Sequence, residues 1–441
     1  MPPKILCIQP PVYDFALFDL FFKPYGLLRI AAELTRQGFE VEFINALDYN
    51  DAETIAELGL TRRKPNGTGK FHRQHAELPP GVQPISRYYS RYGILPEVFA
   101  GKIAAAKPDL VLITSQMTYW YQGVIEAVQT VRRAHPDVPI VVGGIYATLL
   151  PQHCKANTGA DEVIAGDGLQ KLPRILSKYN LSTGRQSRPL TDPGFFGGKE
   201  VWGDAGVVRL NAGCPYRCTY CASGIIAPQF QPGNYLQVWE TMREMYRRCG
   251  TVNFAFYDDA LLVRKEEVLL PLLEEVLRAE LPLRFYTPNA VHMHHIDLET
   301  AVIMHQAGFQ EVRIGYESAD AYFHQKQDGK FKPEEVPAAI QALKQAGFPS
   351  RAIILYVLAG LPNQRAAEVQ QTLNKVAPFG VKVSIAEYSP VPQTALWKES
   401  VAAARVPIEA EPLYHNNTFF PMEWEGFTRR QLETLKRSTL Q

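Results

Sequence analysis

The strongest constraint on the fold is a rhythm. From about residue 205, six short apolar runs recur, at 206–211, 252–257, 283–288, 311–316, 352–358 and 383–388. Helical segments such as YLQVWETMREMYRRCG and EEVPAAIQALKQAGF fall between them. Strands that alternate with helices pair in parallel, because each helix returns the chain to the end where the previous strand began. Six such units predict a partial (β/α)6 barrel over 205–400, with its chemistry at the carboxyl ends of the strands.

The first 180 residues alternate in the same way with a different spacing. KILCIQP (4–10) reads as a strand, YGLLRIAAELTRQG (25–38) as a helix stopped by Gly38, and FEVEFIN (39–45) as the next strand. PDLVLITS (108–115), VPIVVGG (138–144) and DEVIAG (161–166) continue as strands, with a helix over 122–136. This predicts an α/β fold whose first domain, 1–180, is Rossmann-like: an open parallel sheet with helices on both faces. The stretch from about 50 to 100 is rich in Pro, Gly and charge and reads as a partly irregular insertion. Residues 181–204 read as a linker. Residues 401–441 form a C-terminal extension with a helix near 427–437. By position, the insertion and the tail segment YHNNTFFP are expected to help shape a substrate site.

Composition removes several function classes. A formal net charge of +1 gives no electrostatic pull toward nucleic acid or an anionic membrane. No apolar run of about 18 residues exists, so no membrane-spanning helix is expected. The start, MPPKILCIQPPVYD, lacks the pattern of a signal peptide, and the expected location is the cytoplasm.

Of six cysteines, three fall in one loop, RLNAGCPYRCTYCAS, as Cys214, Cys218 and Cys221. The loop follows the first barrel strand, where a barrel places its chemistry. A structural zinc site would be closed by four ligands, and no fourth Cys or His lies nearby in the sequence. Thiolates also suit iron–sulfur clusters. Three thiolates can hold three irons of a 4Fe–4S cube and leave the fourth iron open.

GCPYRCTYCA closely resembles the cluster loop of the radical S-adenosylmethionine (SAM) superfamily. The resemblance implies a 4Fe–4S cluster on Cys214, Cys218 and Cys221, with SAM on the open iron and cleaved to a 5′-deoxyadenosyl radical. It places Tyr220 beside the cluster or the adenine. YDD at the second strand's end resembles the cobalamin-binding subgroup and implies that Tyr257, Asp258 and Asp259 line the SAM pocket. Glu317 and Ser318 resemble its Gly-x-Glu-Ser segment that contacts SAM, and Gly360, Leu361 and Pro362 its adenine-packing segment. EYSPVPQTALW resembles its Tyr-x-Pro-x-Pro-Gly-Thr segment, with Gln393 where glycine is usual. His292, His294 and His295 read as loop surface.

The N-terminal domain resembles the cobalamin-binding domains of the same subgroup, through IQPPVYD, PDLVLITSQMTYWYQG and PIVVGGIYATLLPQ. Loops at the carboxyl edge of its sheet carry the implied cobalamin contacts: Pro10, Pro11, Ser115, Gln116, Met117, Thr118, Tyr119, Trp120, Gly143, Gly144, Tyr146 and Thr148. The Asp-x-His-x-x-Gly segment of cobalt-ligating domains is absent. The expected activity is radical SAM chemistry with cobalamin-dependent methylation of an unactivated carbon in a small-molecule or peptide substrate. The electron donor would be a flavodoxin or ferredoxin. The alternatives are rearrangement, cyclisation or sulfur insertion without methyl transfer, or a cobalamin or iron–sulfur carrier or sensor without turnover.

Overall fold

A computed structural model describes residues 2–183, 195–330 and 335–439. The chain divides into two units, Met1–Asp204 and Ala205–Gln441. Part of the expected linker, 184–194, lies outside the described residues. Among the described residues no helix is long and apolar enough to cross a membrane.

In the first unit, β1 (Lys4–Gln9), β2 (Glu40–Asn45), β3 (Leu110–Ser115), β4 (Ile140–Gly144) and β5 (Glu162–Val163) form one sheet in the order β2-β1-β3-β4-β5. Every pairing is parallel. The order reverses between β1 and β3, and that switch point is where doubly wound sheets take ligands. The helix α1 (Tyr25–Arg36) buries Leu27, Leu28, Ala31 and Leu34 on one face. It ends where Gly38 takes a φ of +91°. Ile5, Cys7, Leu110, Leu112 and Val141 pack beneath it with Leu172 and Ile175.

The insertion is more regular than its composition suggests. It opens with a helix, Ala52–Leu58, N-capped by Asp51. Ser90–Tyr92 then pairs antiparallel with both Val12–Asp14 and Arg73–His75. The helix α2 (Pro96–Ala106) begins before residue 100, so the irregular part ends earlier than expected. A buried Arg91 donates twice to Glu126 on α3 (Tyr121–Ala134), at 2.7 and 2.9 Å, which ties the insertion to the sheet's own helix layer. The chain leaves the sheet at Ala46 and returns at Ile94, whose amide donates to the Ala46 carbonyl at 2.7 Å.

In the second unit, β6 (Ala205–Val208), β7 (Asn253–Phe256) and β8 (Arg284–Tyr286) form one parallel sheet. β9 (Val312–Glu317), β10 (Ile353–Ala359) and β11 (Lys382–Glu387) form another. Parallel bridges Phe285–Phe309 and Val291–Ile314 join the two into one arc of six strands. The first strand is shorter than its apolar run. Asn211–Ala212 instead pairs antiparallel with Gln231–Pro232 and frames the cysteine loop. Phe254, Phe256, Phe285 and Phe309 fill the arc, with Phe256 stacked on Phe309 at 5.7 Å. The tail packs on the strand ends. Asn417 donates to the carbonyl of Glu387, and Trp424 donates its indole N–H to the carbonyl of Gln364.

Candidate active site

The cysteine loop leaves β6 and is pinned from below. Asp258, 2% exposed, accepts the backbone amides of Leu210 and Asn211 on its carboxylate, the shorter at 2.6 Å. Burial pushes its pKa up to about 7, eased by those two amides and by Arg209. Asp258 thus holds the backbone at the loop's entrance, behind the pocket it was expected to line. Gly213 turns the loop with a φ of +73°, and a Cβ there would sit 2.6 Å from the Gln229 carbonyl, so only glycine fits. Arg217 donates to the carbonyls of Cys214 and Pro228 and closes the loop on itself.

The three thiols grade from buried Cys214 through half-buried Cys218 to exposed Cys221. Burial pushes the unligated Cys218 thiol up to about 12, while the Lys330 cation pulls the other way. As thiolates the three repel one another, so they share one neighbourhood. Yet among the described residues no three Cys, His, Asp or Glu side chains converge as they would on a single ion. Three thiols in one loop, without a fourth cysteine, are by their chemistry a donor set that an iron–sulfur cluster takes.

Behind the loop lies a closed circuit of polar side chains that sequence reading missed. Lys330 donates to Tyr220 Oη at 3.2 Å and to Glu317 Oε1 at 3.1 Å. Tyr220 donates to Asp328 Oδ2 at 3.3 Å, and Asp328 faces His324 Nδ1 at 3.0 Å. His324 Nε2 meets the carbonyl of Ser318 at 2.8 Å, which returns the circuit to β9. Both His324 nitrogens face acceptors, an arrangement that favours the protonated ring. Burial opposes that charge, but Asp328 outweighs it and the pKa rises. Burial likewise opposes the Lys330 charge, and Glu317, Cys218 and Asp328 together outweigh it. The segment 324–330, HQKQDGK, carries no motif or period that would single out these residues.

Glu317 sits where β9 bulges, with a φ of +61°. A non-glycine residue held in the left-handed region at a strand end is the kind of strain found at ligand sites. Ser318 accepts the Asp320 amide on its hydroxyl. Tyr257 is half-buried and extends the β7 pairing through its amide to Val208, and Asp259 is exposed. Gly360 has a φ of +88°, and a Cβ there would meet Cε2 of Phe420 at 2.7 Å. Leu361 and Pro362 are buried beside it. Gln393 adopts a φ of +67°, a conformation natural to glycine. Gln393→Gly should therefore raise stability by about 0.5–1 kcal/mol, read as a higher urea midpoint with an unchanged slope.

His292 departs from its expected surface role. It is 7% exposed, stacks on Tyr216 of the cysteine loop at 4.6 Å, and its buried Nδ1 has no partner. Burial lowers its pKa to about 3, so it is neutral. His295 meets the Tyr216 hydroxyl at 3.1 Å, and His294 pairs with Glu335 at the surface.

In the first unit, the switch point has two carboxamide oxygens without a partner. Gln9 ends β1 and is 2% exposed, Gln116 follows β3, and the buried Oε1 of each has no partner. Gln116 was expected there from the sequence, whereas Gln9 was not. Gly144, φ +97°, lets the chain cross Ser115 so closely that a Cβ would fall 2.1 Å from its carbonyl. Ser115 donates to Gly143 and accepts from Ala147, and Thr148 bonds Gly144 and Gly166. Gly143 is half-exposed, Met117 exposed and Tyr119 half-buried, while Pro10, Pro11 and Thr118 are buried.

Two expected ligand-facing aromatics are instead core. Trp120 is buried because its indole N–H donates to Asp14 at 2.6 Å beneath Phe71 and Tyr92. Tyr146 is 0% exposed and its hydroxyl pairs with His153 Nδ1 at 2.7 Å. A buried acceptor without a donor is costly, and a ligand that brings N–H groups relieves it. A corrinoid, rimmed with amides, fits the two free carboxamide oxygens at this edge.

Two family models match the chain. Residues 88–176 match the family model described as B12 binding domain, and residues 208–376 match that of the Radical SAM superfamily. An uncharacterized methyltransferase of Pyrococcus horikoshii is 20% identical over 359 residues, 73% of this chain and 72% of its own. The structure of TsrM from Kitasatospora setae, a radical SAM methyltransferase with cobalamin and a 4Fe–4S cluster bound, superposes with a TM-score of 0.66 at 14% identity. It covers 92% of this chain and 76% of that one. OxsB, a cobalamin-dependent SAM radical enzyme with aqua-cobalamin bound, gives 0.58 at 11% identity, covering 99% of this chain and 61% of that one. At such identities the likeness is one of fold.

Proposed function

We propose, from a chain that belongs to the radical SAM superfamily and carries a B12-binding domain ahead of its barrel, that it is a methyltransferase acting on an unactivated carbon. The observation that carries the cluster assignment is the loop of three thiols, with no fourth cysteine in it, at the end of the first barrel strand. When bound, the 4Fe–4S cluster, SAM and cobalamin would supply an electron, a 5′-deoxyadenosyl radical and a transferable methyl group.

The chain's own residues hold and orient. Cys214, Cys218 and Cys221 would ligate three irons. Asp258 keeps the loop's entrance fixed. Glu317, with Ser318 beside it, offers a carboxylate to the ribose hydroxyls or ammonium of SAM. Gly360 to Pro362 give the adenine a flat backbone, with Tyr257 and Asp259 at the same end of the arc. Tyr220 is the aromatic beside the cluster. At the switch point Gln116 and Gln9 would accept from corrinoid amides, and Gly143, Gly144, Ser115 and Met117 leave the approach open. The substrate is a small molecule or peptide. The electron comes from a flavodoxin- or ferredoxin-class donor, in the cytoplasm, where thiols stay reduced.

Protein purified anaerobically from cells supplied with cobalamin tests this. Near-stoichiometric cobalt beside iron, with 5′-deoxyadenosine formed on reduction, is the expected result. Iron without cobalt, even after cobalamin is added back, would overturn methyl transfer and leave a radical rearrangement or cyclisation. Failure to make 5′-deoxyadenosine would point to a carrier.

A further inference from the structure

We infer that Lys330 is a positioning residue whose charge sets the reduction potential of the iron–sulfur cluster, held in place by Glu317 and transmitted beside Tyr220. The inference rests on the three-cysteine reading above.

Lys330 is largely enclosed, with 11% of its side chain exposed, and Glu317 has 12%. Burying an ion pair costs more desolvation than its attraction returns unless the geometry and extra hydrogen bonds compensate. Here the extra bond goes to Tyr220, between Cys218 and Cys221, and the ammonium lies 5.5 Å from that ring's centroid. The same charge is felt at Cys214 and Cys218. The second pair, His324 and Asp328, bonds the other side of the Tyr220 hydroxyl. The phenol is thus clamped between two ion pairs, and the cation nearer the thiolates is Lys330. Reduction adds one negative charge to the cluster. A fixed cation close by, in a medium of low dielectric, favours that reduced form. Glu317 partly neutralises the cation and works in the opposite direction.

The test is a redox titration of the reconstituted full chain without SAM, followed by the EPR signal of the reduced cluster. Lys330→Met should lower the reduced-to-oxidised ratio at a fixed potential about tenfold, a shift of 59 mV for one electron. Glu317→Gln should shift it the other way. Lys330→Arg and the double variant Lys330→Met/Glu317→Gln should lie near the wild type, because the first keeps the charge and the second removes a neutral pair. Packing damage at Tyr220 would move both single variants alike and would not be undone in the double variant. Equal potentials in wild type and Lys330→Met, with equal iron content, would overturn the inference while leaving the cluster assignment intact. Wild-type protein without iron would overturn both, and iron analysis tells the two failures apart.

Discussion

Replacing Cys218 with alanine should take iron from about four per chain to near none and reduce 5′-deoxyadenosine formation at least a thousandfold. The effect is large because the loop has no spare donor. It carries no fourth cysteine, and the chain's other three cysteines, Cys7, Cys154 and Cys249, lie outside it. Cys218 is the middle cysteine of the three, and its neighbour Thr219 is locked on both sides. The Thr219 amide donates to Gln327 at 2.8 Å and its carbonyl accepts from Leu396 at 2.9 Å. The loop therefore cannot slide to recruit a substitute. Cys249 is the control: it is 9% exposed at the end of the helix Tyr235–Cys249, outside the loop. Cys249→Ala should cost about 1 kcal/mol of stability and leave iron unchanged. Iron retained by Cys218→Ala would mean that the loop is not the cluster site.

The second large effect concerns Asp258. Removal to alanine leaves two buried amides, Leu210 and Asn211, without an acceptor. Each unsatisfied group costs about 1–3 kcal/mol, so Asp258→Ala should lose about 2–6 kcal/mol and much of its iron. Its pH signature has a definite sign. The folded pKa is raised to about 7 by burial, whereas the unfolded value is about 3.9. The stabilisation from a protonated Asp258 is therefore full below about pH 4 and is lost as pH rises through about 7. A proton on Oδ2 leaves Oδ1 accepting from both amides, so the neutral form keeps the clamp. Three pKa units correspond to about 4 kcal/mol. Asp258→Asn should flatten that part of the stability profile. Urea midpoints at pH 5 and pH 8 would show it, and an unchanged difference between wild type and Asp258→Asn would refute the account.

Much of this was written locally in the chain. The runs at 252–257, 311–316 and 352–358 correspond to strands at Asn253–Phe256, Val312–Glu317 and Ile353–Ala359, because period and composition specify a buried parallel strand. The cysteine loop was legible because three thiols at short spacing stand out in the sequence itself. The polar circuit was not. Lys330, Asp328 and His324 gain meaning only from Tyr220 and Glu317, which folding brings to them from 110 and 13 residues away in the case of Lys330. Trp120 and Tyr146 misled for a related reason. An aromatic after a strand looks available until Asp14 or His153 supplies the partner that draws it inside. The insertion looked irregular because its strands are three residues or fewer, too short to show a period.

The hydrogen bond from Ile94 to Ala46 bears on how such a chain can change. The excursion between them starts and finishes at one point, where Gly93 passes so near Ala46 that a Cβ would fall 2.2 Å from its carbonyl. The parallel sheet on either side is indifferent to how much polypeptide hangs from that staple. Doubling such a loop raises its closure entropy by only about 0.6 kcal/mol. Length can be added between Leu58 and Arg73 while Arg91 keeps its hold on Glu126 and the strand register below stays as it is, so new specificity can be grafted there at small entropic cost.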